Sequence, residues 1–233
     1  MPVRAVTFDV YSAMFDTVGG LTGALTAFFR TRGITADAAA TGRAWRRAQM
    51  DYLLLANSLD REPASNRAAI EASARHTLRA FAPPAAPPRE GGVAPAEMDA
   101  LVAAWERLPA WPEAAEVLAD VRRRPLPLGV LSNGDYGMLD ALMRTFPVRF
   151  DRIVSVEGGK FKPHPSVYRK ALTEMGVPVD DLLHVAGSPS DAAGATAAGI
   201  RTIWINRASD AVLDPRFAPA HQSSDLRGVL ALL

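Results

Sequence analysis

The sequence predicts an α/β protein in which a parallel β-sheet with flanking helices carries an inserted all-helical segment. From Trp111 onward, strand and helix patterns alternate, which is the order that right-handed crossovers give in a parallel sheet. The apolar run over residues 3–8 is typical of a buried strand, yet only helical patterns follow it as far as Trp111. Because a single buried strand is not stable beside helices, we expect it to join the later sheet.

Composition and charge narrow the class of protein. The chain is 48% hydrophobic and 22% charged, which is typical of a soluble globular protein. No apolar run reaches the roughly 18 residues of a membrane span, and the N-terminus lacks the pattern of a secretory signal. We therefore expect a cytoplasmic protein that does not bind membranes. A net charge of +1 without a long basic stripe argues against nucleic acid as a partner, and the absence of cysteine excludes disulfides and thiol catalysis.

The first half of the chain, after the initial strand, has apolar residues at helical spacing. Four helices are predicted, over residues 17–33, 36–58, 65–81 and 96–108. The proline-rich stretch FAPPAAPPREGGVAP, between the third and fourth helices, is interpreted as a surface connection. These helices need one another to bury their apolar faces. The sequence therefore predicts a helical cap over residues 16–111, inserted into a core formed by residues 1–15 and 112–233.

The second half of the chain completes the predicted sheet. The predicted helices cover residues 113–123, 138–145, 166–175 and 191–198, and the strands cover 127–131, 152–156, 182–186 and 202–205, with a short last helix near Leu226. Such alternation places the carboxyl ends of all the strands at one edge of the sheet, where ligands bind in open α/β folds.

Polar residues of catalytic type follow several of these strands. Asp9 follows the first strand, Ser132 and Asn133 follow the LGVL strand, and Lys162 and Asp191 lie in later loops. Each has an ordinary structural alternative when taken alone: a turn residue for Asp9, Ser132 and Asn133, a surface lysine, and a helix N-terminal acid for Asp191. Their joint occurrence at one sheet edge favours a site, with Asp9 as the nucleophile.

The order Asp, Ser, Lys, Asp on such a core resembles the haloacid dehalogenase superfamily, over the whole chain. The matching stretches are FDVYSAMFD, LSNG, KFKPHPSVY and HVAGSPSDAAGATAAG. Phosphatases of that superfamily carry Asp-x-Asp in the first motif, whereas Tyr11 takes the second position here. Together with AWRRAQMDY in the insertion, this tyrosine is similar to the 2-haloacid dehalogenase branch. The resemblance implies a Rossmann-like core with an inserted helical cap.

The resemblance also implies a reaction and its catalytic residues. Asp9 would attack a saturated carbon of a small carboxylic acid, expel a leaving group and form an ester that water cleaves. Lys162 would keep Asp9 ionised, and Asp191 would help to place the hydrolytic water or the lysine. Arg46 of the cap would stabilise the departing anion; its structural alternative is a surface arginine.

Further residues would bind the substrate. Ser132 and Asn133 would hold its carboxylate through hydroxyl and amide donors, and Tyr168 would donate a hydrogen bond at the pocket. The other candidate substrate-binding residues are Tyr11, Met50 and Ser188. For Tyr11, Met50 and Tyr168, packing in the core is an equal alternative.

No metal and no other cofactor is expected. Metals in the phosphatases neutralise a phosphoryl group, and the second carboxylate of the first motif is missing here. The resemblance further implies that a homodimer can form through the cap, for which Trp105 and residues 53–55 are candidates, with core burial as the alternative.

Three departures from the branch pattern leave the substrate open. The Gly-Thr that follows the tyrosine in the branch is Ser12-Ala13, its Ser-Ser-Asn in the fourth motif is Ala186-Gly187-Ser188, and its aromatic before the last aspartate is Ser190. Three alternatives therefore stay beside 2-haloacid hydrolysis: a phosphatase for a small phosphorylated metabolite, a hydrolase for another carbon electrophile such as a strained C–N bond, and a noncatalytic binding protein.

Overall fold

The structure is a computed structural model that describes residues 2–59, 65–81, 92–212 and 214–233. The chain forms two compact units. The core unit contains the residues up to Phe15 together with Ala110–Leu233, and the helical unit contains Asp16–Pro109. Most of the proline-rich connection predicted between the third and fourth helices, residues 82–91, lies outside the described residues.

The core unit contains a parallel sheet, so the predicted α/β fold class is confirmed. Within the described residues, six strands pair in the order β3-β2-β1-β4-β5-β6. They are β1 Ala5–Phe8, β2 Leu128–Ser132, β3 Arg152–Ser155, β4 Leu182–Ala186, β5 Arg201–Ile205 and β6 His221–Ser223. The sequence did not predict β6, because HQS is a short polar segment at the sheet edge without the apolar run that marks the other strands.

Strand β1 is central, and its neighbours explain its composition. All four of its residues are buried, since β2 pairs along one side and β4 along the other. Thr7 lies opposite Gly129 of β2 and His184 of β4. The Asp9 N–H then donates to the carbonyl of Val185 at 2.8 Å, so β1 delivers Asp9 to the carboxyl edge of the sheet.

The described residues of the core unit form four α-helices that flank the sheet. They are α5 Ala114–Arg122, α6 Tyr136–Met143, α7 Pro165–Met175 and α8 Pro189–Ala197, and a 3₁₀ helix over Leu226–Leu232 closes the chain. Helix α7 ends at Gly176 in the left-handed conformation, whose N–H donates to the carbonyls of Leu172 and Thr173, as expected for a C-terminal glycine. Helices α6, α7 and α8 follow β2, β3 and β4, and of the predicted site residues Asn133 and Lys162 lie in the connections while Asp191 lies in the first turn of α8.

The described residues of the helical unit form α1 Thr17–Arg32, α2 Ala38–Leu59, α3 Asn66–Phe81 and α4 Pro95–Ala103, followed by a 3₁₀ turn over Ala104–Glu106. The predicted fourth helix is therefore shorter than expected. The rings of Trp45 and Trp105 pack edge to face with centroids 5.7 Å apart. The indole N–H of Trp45 donates to the carbonyl of Ile70 at 3.0 Å. These contacts join three of the helical segments around a tryptophan core.

The residues proposed for a dimer surface divide into two groups. Trp105 and Leu53 are fully buried, so the alternative of core burial holds for both, and they complete the core of the helical unit. Leu54 and Leu55 are 39% and 56% exposed.

None of the helices in the described part of the chain combines the length and the apolar character that a membrane span requires.

Candidate active site

A buried ion cluster lies at the carboxyl edge of β1, with Lys162 at its centre. The Nζ of Lys162 donates to Asp9 Oδ1 at 2.7 Å, to Asp191 Oδ2 at 2.8 Å and to the carbonyl of Leu131 at 2.9 Å. The ammonium thus uses all three of its donors on fixed acceptors. Because the three charged side chains are at most 7% exposed, water screens these contacts little.

Asp191, in the first turn of α8, receives hydrogen bonds on both carboxylate oxygens. The Oδ2 atom accepts from Lys162 and lies 3.1 Å from Nε2 of His184. The Oδ1 atom lies 3.0 Å from the hydroxyl of Tyr168. Ser188, the N-cap residue of α8, accepts from the Asp191 N–H at 3.3 Å. The orientation of Asp191 is therefore fixed from several directions.

The electrostatics of the cluster favour the charged forms of Lys162 and Asp191. Burial by itself raises the pKa of Asp191, but the charges and hydrogen bonds of Lys162 and His184 outweigh it and bring the pKa well below its ordinary value. Burial lowers the pKa of Lys162, yet Asp191 and Asp9 together raise it above its ordinary value. Burial and the neighbouring Asp191 charge raise the pKa of Tyr168, which keeps its hydroxyl a donor.

The loop after Asp9 is held in an unusual conformation. Ser12 has a φ of 73°, in the left-handed region that non-glycine residues rarely adopt. The indole N–H of Trp111 donates to the Ser12 carbonyl at 3.0 Å, and the guanidinium of Arg207 stacks on Trp111 at 4.2 Å. These contacts stabilise the backbone immediately after the carboxylate.

The fourth-motif loop approaches Asp9 closely at Gly187. A Cβ atom on Gly187 would lie 2.7 Å from Asp9 Oδ2, 2.4 Å from the backbone nitrogen of Ala13 and 2.9 Å from the Tyr11 carbonyl. Ala13 and Gly187, which the sequence shows as separate departures from the branch pattern, thus meet beside the Asp9 carboxylate. Only a glycine fits there without displacement.

Ser132 and Asn133 lie at the end of β2 with donors available. The Ser132 hydroxyl is buried and makes no hydrogen bond within the described part of the chain. The Asn133 Oδ1 accepts from the Lys162 N–H at 2.7 Å, which fixes the side-chain amide and leaves its NH₂ group to donate elsewhere. An unsatisfied buried hydroxyl is uncommon in a folded protein and calls for an explanation.

The structure brings most of the predicted core residues together. Asp9, Lys162, Asp191 and Tyr168 form one hydrogen-bonded group, and Ser188 caps the helix that carries Asp191. Tyr11 is buried beside Gly134, where an added Cβ would lie 2.9 Å from the tyrosine hydroxyl.

Arg46 and Met50 lie on α2 of the helical unit. The Arg46 guanidinium donates to Gln49 Oε1 at 2.6 Å and lies 5.8 Å from the ring centroid of Trp105. Met50 is half-buried on the same helix. Their predicted roles toward a substrate stay predictions.

Two residues of the cluster were not predicted as site residues. His184 is fully buried in β4, with Nδ1 3.0 Å from the Thr7 hydroxyl and Nε2 toward Asp191. The available signal was a titratable side chain inside the otherwise apolar strand LLHVA. A lone histidine without ligand spacing does not by itself indicate a site, and Thr7 gives no signal in an apolar run.

The donor set does not fit a divalent cation. The Lys162 ammonium already bridges Asp9 and Asp191, and Gly187, which lies beside Asp9, supplies no side-chain oxygen. Within residues 2–59, 65–81, 92–212 and 214–233, no group of three His, Asp or Glu side chains could hold a metal ion. Hard cations need several oxygen ligands, which these residues do not supply.

A parallel sheet with a buried carboxylate–ammonium–carboxylate cluster at its carboxyl edge is the arrangement of an α/β enzyme, because ligands bind at that edge in open α/β folds. The chain belongs to the family described as haloacid dehalogenase-like hydrolase, whose model matches residues 3–199. The protein is thus a hydrolase of this family, and the family resemblance read from the sequence is confirmed.

Relatives and solved structures agree with this membership. The chain is 29% identical to an (S)-2-haloacid dehalogenase of Pseudomonas sp. strain YL, over 99% of this chain and 94% of that protein. The structure of L-2-haloacid dehalogenase from Xanthobacter autotrophicus matches with a TM-score of 0.82 and 25% identity, covering 99% of this chain and 98% of the other. A phosphoserine phosphatase of Thermus thermophilus is 34% identical over 60% of this chain and 59% of its own length.

Proposed function

We propose that the protein hydrolyses small carboxylic acids that carry a leaving group at C2, with 2-haloacids as the nearest model. The observation that carries the proposal is the contact of Lys162 Nζ with both Asp9 and Asp191, which keeps a buried carboxylate ionised at a sheet edge. The full-length similarity to an (S)-2-haloacid dehalogenase supports the same substrate class.

In the proposed reaction, an Asp9 carboxylate oxygen attacks C2 and the halide leaves with the electron pair of its bond. The product of this step is an aspartyl ester. Water then attacks the ester carbonyl carbon, which releases a 2-hydroxy acid and restores the Asp9 carboxylate, while one proton passes to solvent. Each turnover therefore consumes one water and yields one halide ion and one proton.

Ser132 and Asn133 supply the proposed carboxylate-binding donors. The Ser132 hydroxyl has no protein partner within the described residues, and a bound anion would satisfy it. The orientation of Asn133, with Oδ1 occupied by the Lys162 N–H, commits its NH₂ group to the same task. Hydroxyl and amide donors are well suited to bind a carboxylate.

The helical unit is proposed to cap the site, as the sequence resemblance implies. In this proposal Arg46 binds the departing halide, because a guanidinium is a weakly hydrated cation that remains charged at all working pH values. Met50 and Tyr11 line the pocket and Ser188 contacts the substrate. Tyr168 acts through Asp191, to which its hydroxyl is bonded, rather than on the substrate directly.

The proposed reaction needs no metal. The carbon–halogen bond of a haloacid requires no neutralisation of a phosphoryl group, and Lys162 supplies the positive charge beside Asp9. Phosphatase activity is the second candidate, favoured by the partial match to a phosphoserine phosphatase. Tyr11 at the second carboxylate position and the glycine at 187 argue against it.

A substrate panel tests the proposal. Purified protein is incubated with 2-chloro, 2-bromo and 2-fluoro acids and with phosphorylated acids, in chelator and in magnesium, while halide, phosphate and acid release are measured. We expect halide release that chelator does not reduce and that Asp9→Asn abolishes without unfolding the protein. Phosphate release that requires magnesium, without halide release, would contradict the proposal.

A further inference from the structure

His184 is a buried titratable group that the proposed reaction leaves without a task. It lies in the middle of β4, fully buried, and its ring contacts a polar partner at each nitrogen. Nε2 lies 3.1 Å from Asp191 Oδ2 and Nδ1 lies 3.0 Å from the Thr7 hydroxyl. The imidazole also packs in a T-shaped arrangement with the ring of Tyr168, with centroids 6.2 Å apart. Every polar atom of the ring is therefore engaged.

The sheet register explains why these groups meet. Thr7 of β1 and His184 of β4 are directly opposite in the parallel pair, so their side chains project to the same face of the sheet. Asp9 follows Thr7 by two residues, immediately after the end of β1. Thr7, His184, Asp191 and Lys162 thus form one continuous chain of contacts that ends at Asp9.

The shared oxygen of Asp191 defines what His184 does. Asp191 Oδ2 accepts from Lys162 at 2.8 Å and from the histidine at 3.1 Å. A carboxylate accepts and does not donate, so Nε2 must carry the proton. We propose that His184 is a positioning residue that holds Asp191 aimed at Lys162, with Thr7 fixing the imidazole through its other nitrogen.

The importance of the hydrogen bond between His184 and Asp191 changes during the proposed reaction. In the resting protein, Lys162 is held by two carboxylates. Once Asp9 is esterified it no longer carries a charge, and Asp191 becomes the remaining anionic partner of the ammonium. Loss of the His184 hydrogen bond should therefore affect hydrolysis of the ester more than its formation. This consequence rests on the proposed function, whereas the hydrogen bond itself does not.

Nitrogen NMR tests the hydrogen bond without any substrate. The protein is labelled with ¹⁵N-histidine, and His184→Gln assigns the signal among the four histidines of the chain. We expect a proton on Nε2, and a shifted Nε2 signal in Asp191→Asn. A neutral ring protonated on Nδ1, or an Nε2 signal indifferent to Asp191→Asn, would overturn the proposal.

Kinetics test the positioning role with a matched pair of variants. His184→Gln keeps a donor near the Nε2 position, while His184→Leu removes it. We expect His184→Leu to lower kcat roughly 10- to 100-fold, the range for loss of a hydrogen bond to a charged group, with little change in the rate of ester formation. Mass spectrometry should then show the Asp9 ester accumulating in His184→Leu and less in His184→Gln.

Thr7→Val keeps the β-branched shape of the side chain and provides a second test of the positioning role if the histidine variants fail to fold. It should show a smaller effect of the same kind, and no added effect in the His184→Leu background, because residues of one network are not additive. Equal ester levels and rates in the wild type and the folded variants would overturn the positioning role. If no acid gives an ester in the wild type, the proposed function fails while the nitrogen spectra still decide whether His184 holds Asp191.

Discussion

Gly187 packs so closely against Asp9 that no side chain fits at position 187. A Cβ atom at this position would lie 2.7 Å from Asp9 Oδ2 and 2.4 Å from the Ala13 nitrogen, which is less than any normal contact between such atoms. The obstacles are backbone atoms and the Asp9 carboxylate, whose Oδ1 is held by Lys162, so neither can move aside as the end of a long side chain would. The candidate site therefore requires a glycine at position 187.

We expect Gly187→Ala to reduce activity strongly. The added methyl group must displace Asp9 or its loop, and a shift of about 1 Å in a reacting group costs on the order of 100-fold in rate. Overpacking should also lower the free energy of unfolding by about 1–3 kcal/mol. Activity assays and urea titrations measure the two effects.

Gly137→Ala is the matched control. Gly137 lies in α6, and an added Cβ there meets no atom within 4 Å. Activity should be unchanged and stability should rise by up to about 1 kcal/mol. Equal activity in Gly187→Ala and Gly137→Ala would show that the loop at Gly187 moves to accommodate a side chain and that close packing there is not needed for activity.

Ser132 and Ser155 provide a second matched pair, since they are register partners in β2 and β3. Ser155 Oγ donates to the Gly134 carbonyl and accepts from the Glu157 N–H, whereas the Ser132 hydroxyl has no partner within the described residues. We expect Ser132→Ala to raise KM without loss of stability. Ser155→Ala should lower the free energy of unfolding by about 1 kcal/mol.

Substrate saturation curves and urea titrations separate these two outcomes. A stability loss in Ser132→Ala with an unchanged KM would mean that its hydroxyl serves the fold, and the assignment of Ser132 to the substrate carboxylate would be wrong.

Lys162→Arg should not restore the function lost in Lys162→Met. The ammonium donates in three directions, to Asp9, Asp191 and the Leu131 carbonyl, whereas a guanidinium is planar and larger. We expect both variants to lose at least about 100-fold in kcat. Substantial activity in Lys162→Arg would show that positive charge alone suffices, without the threefold geometry.

The pH dependence of stability follows from the lowered pKa of Asp191. A carboxyl whose pKa is depressed in the folded state stabilises the fold above its unfolded pKa of about 3.9, and this contribution declines as pH falls toward the folded value. Asp191→Asn should therefore lower the free energy of unfolding at pH 7, by up to about 3 kcal/mol, and by less at pH 3. Denaturant titrations at the two pH values measure the difference, and an equal loss at both would contradict the ion-pair account.

The strands that could be predicted are those with mainly apolar residues, such as β1 and β4. Strand β6 could not be predicted because its three residues are polar and its pairing depends on β5 beside it. The fourth helix was predicted too long, since its last turn continues as a 3₁₀ turn from Ala104, and a local pattern does not distinguish the two hydrogen-bond periods.

The candidate site also contains features that could be predicted from the sequence and features that could not. Asp9, Lys162 and Asp191 were predictable because polar side chains after apolar strands converge at one sheet edge. The contact between Ala13 and Gly187, the unsatisfied hydroxyl of Ser132 and the link from Thr7 through His184 were not. Each depends on a distance between residues far apart in sequence or on the presence of a partner, which only the folded chain defines.

Oxygen-18 labelling tests directly whether Asp9 forms the covalent ester of the proposed reaction. The protein is incubated in oxygen-18 water with a limiting amount of a 2-haloacid that it turns over, and the peptide that contains Asp9 is then weighed. Because water attacks the ester carbonyl, the proposed mechanism predicts one heavy oxygen in Asp9 after a single turnover and an unlabelled hydroxyl in the product. An unlabelled Asp9 with the heavy oxygen in the product would contradict it, since water would then have attacked the substrate carbon directly.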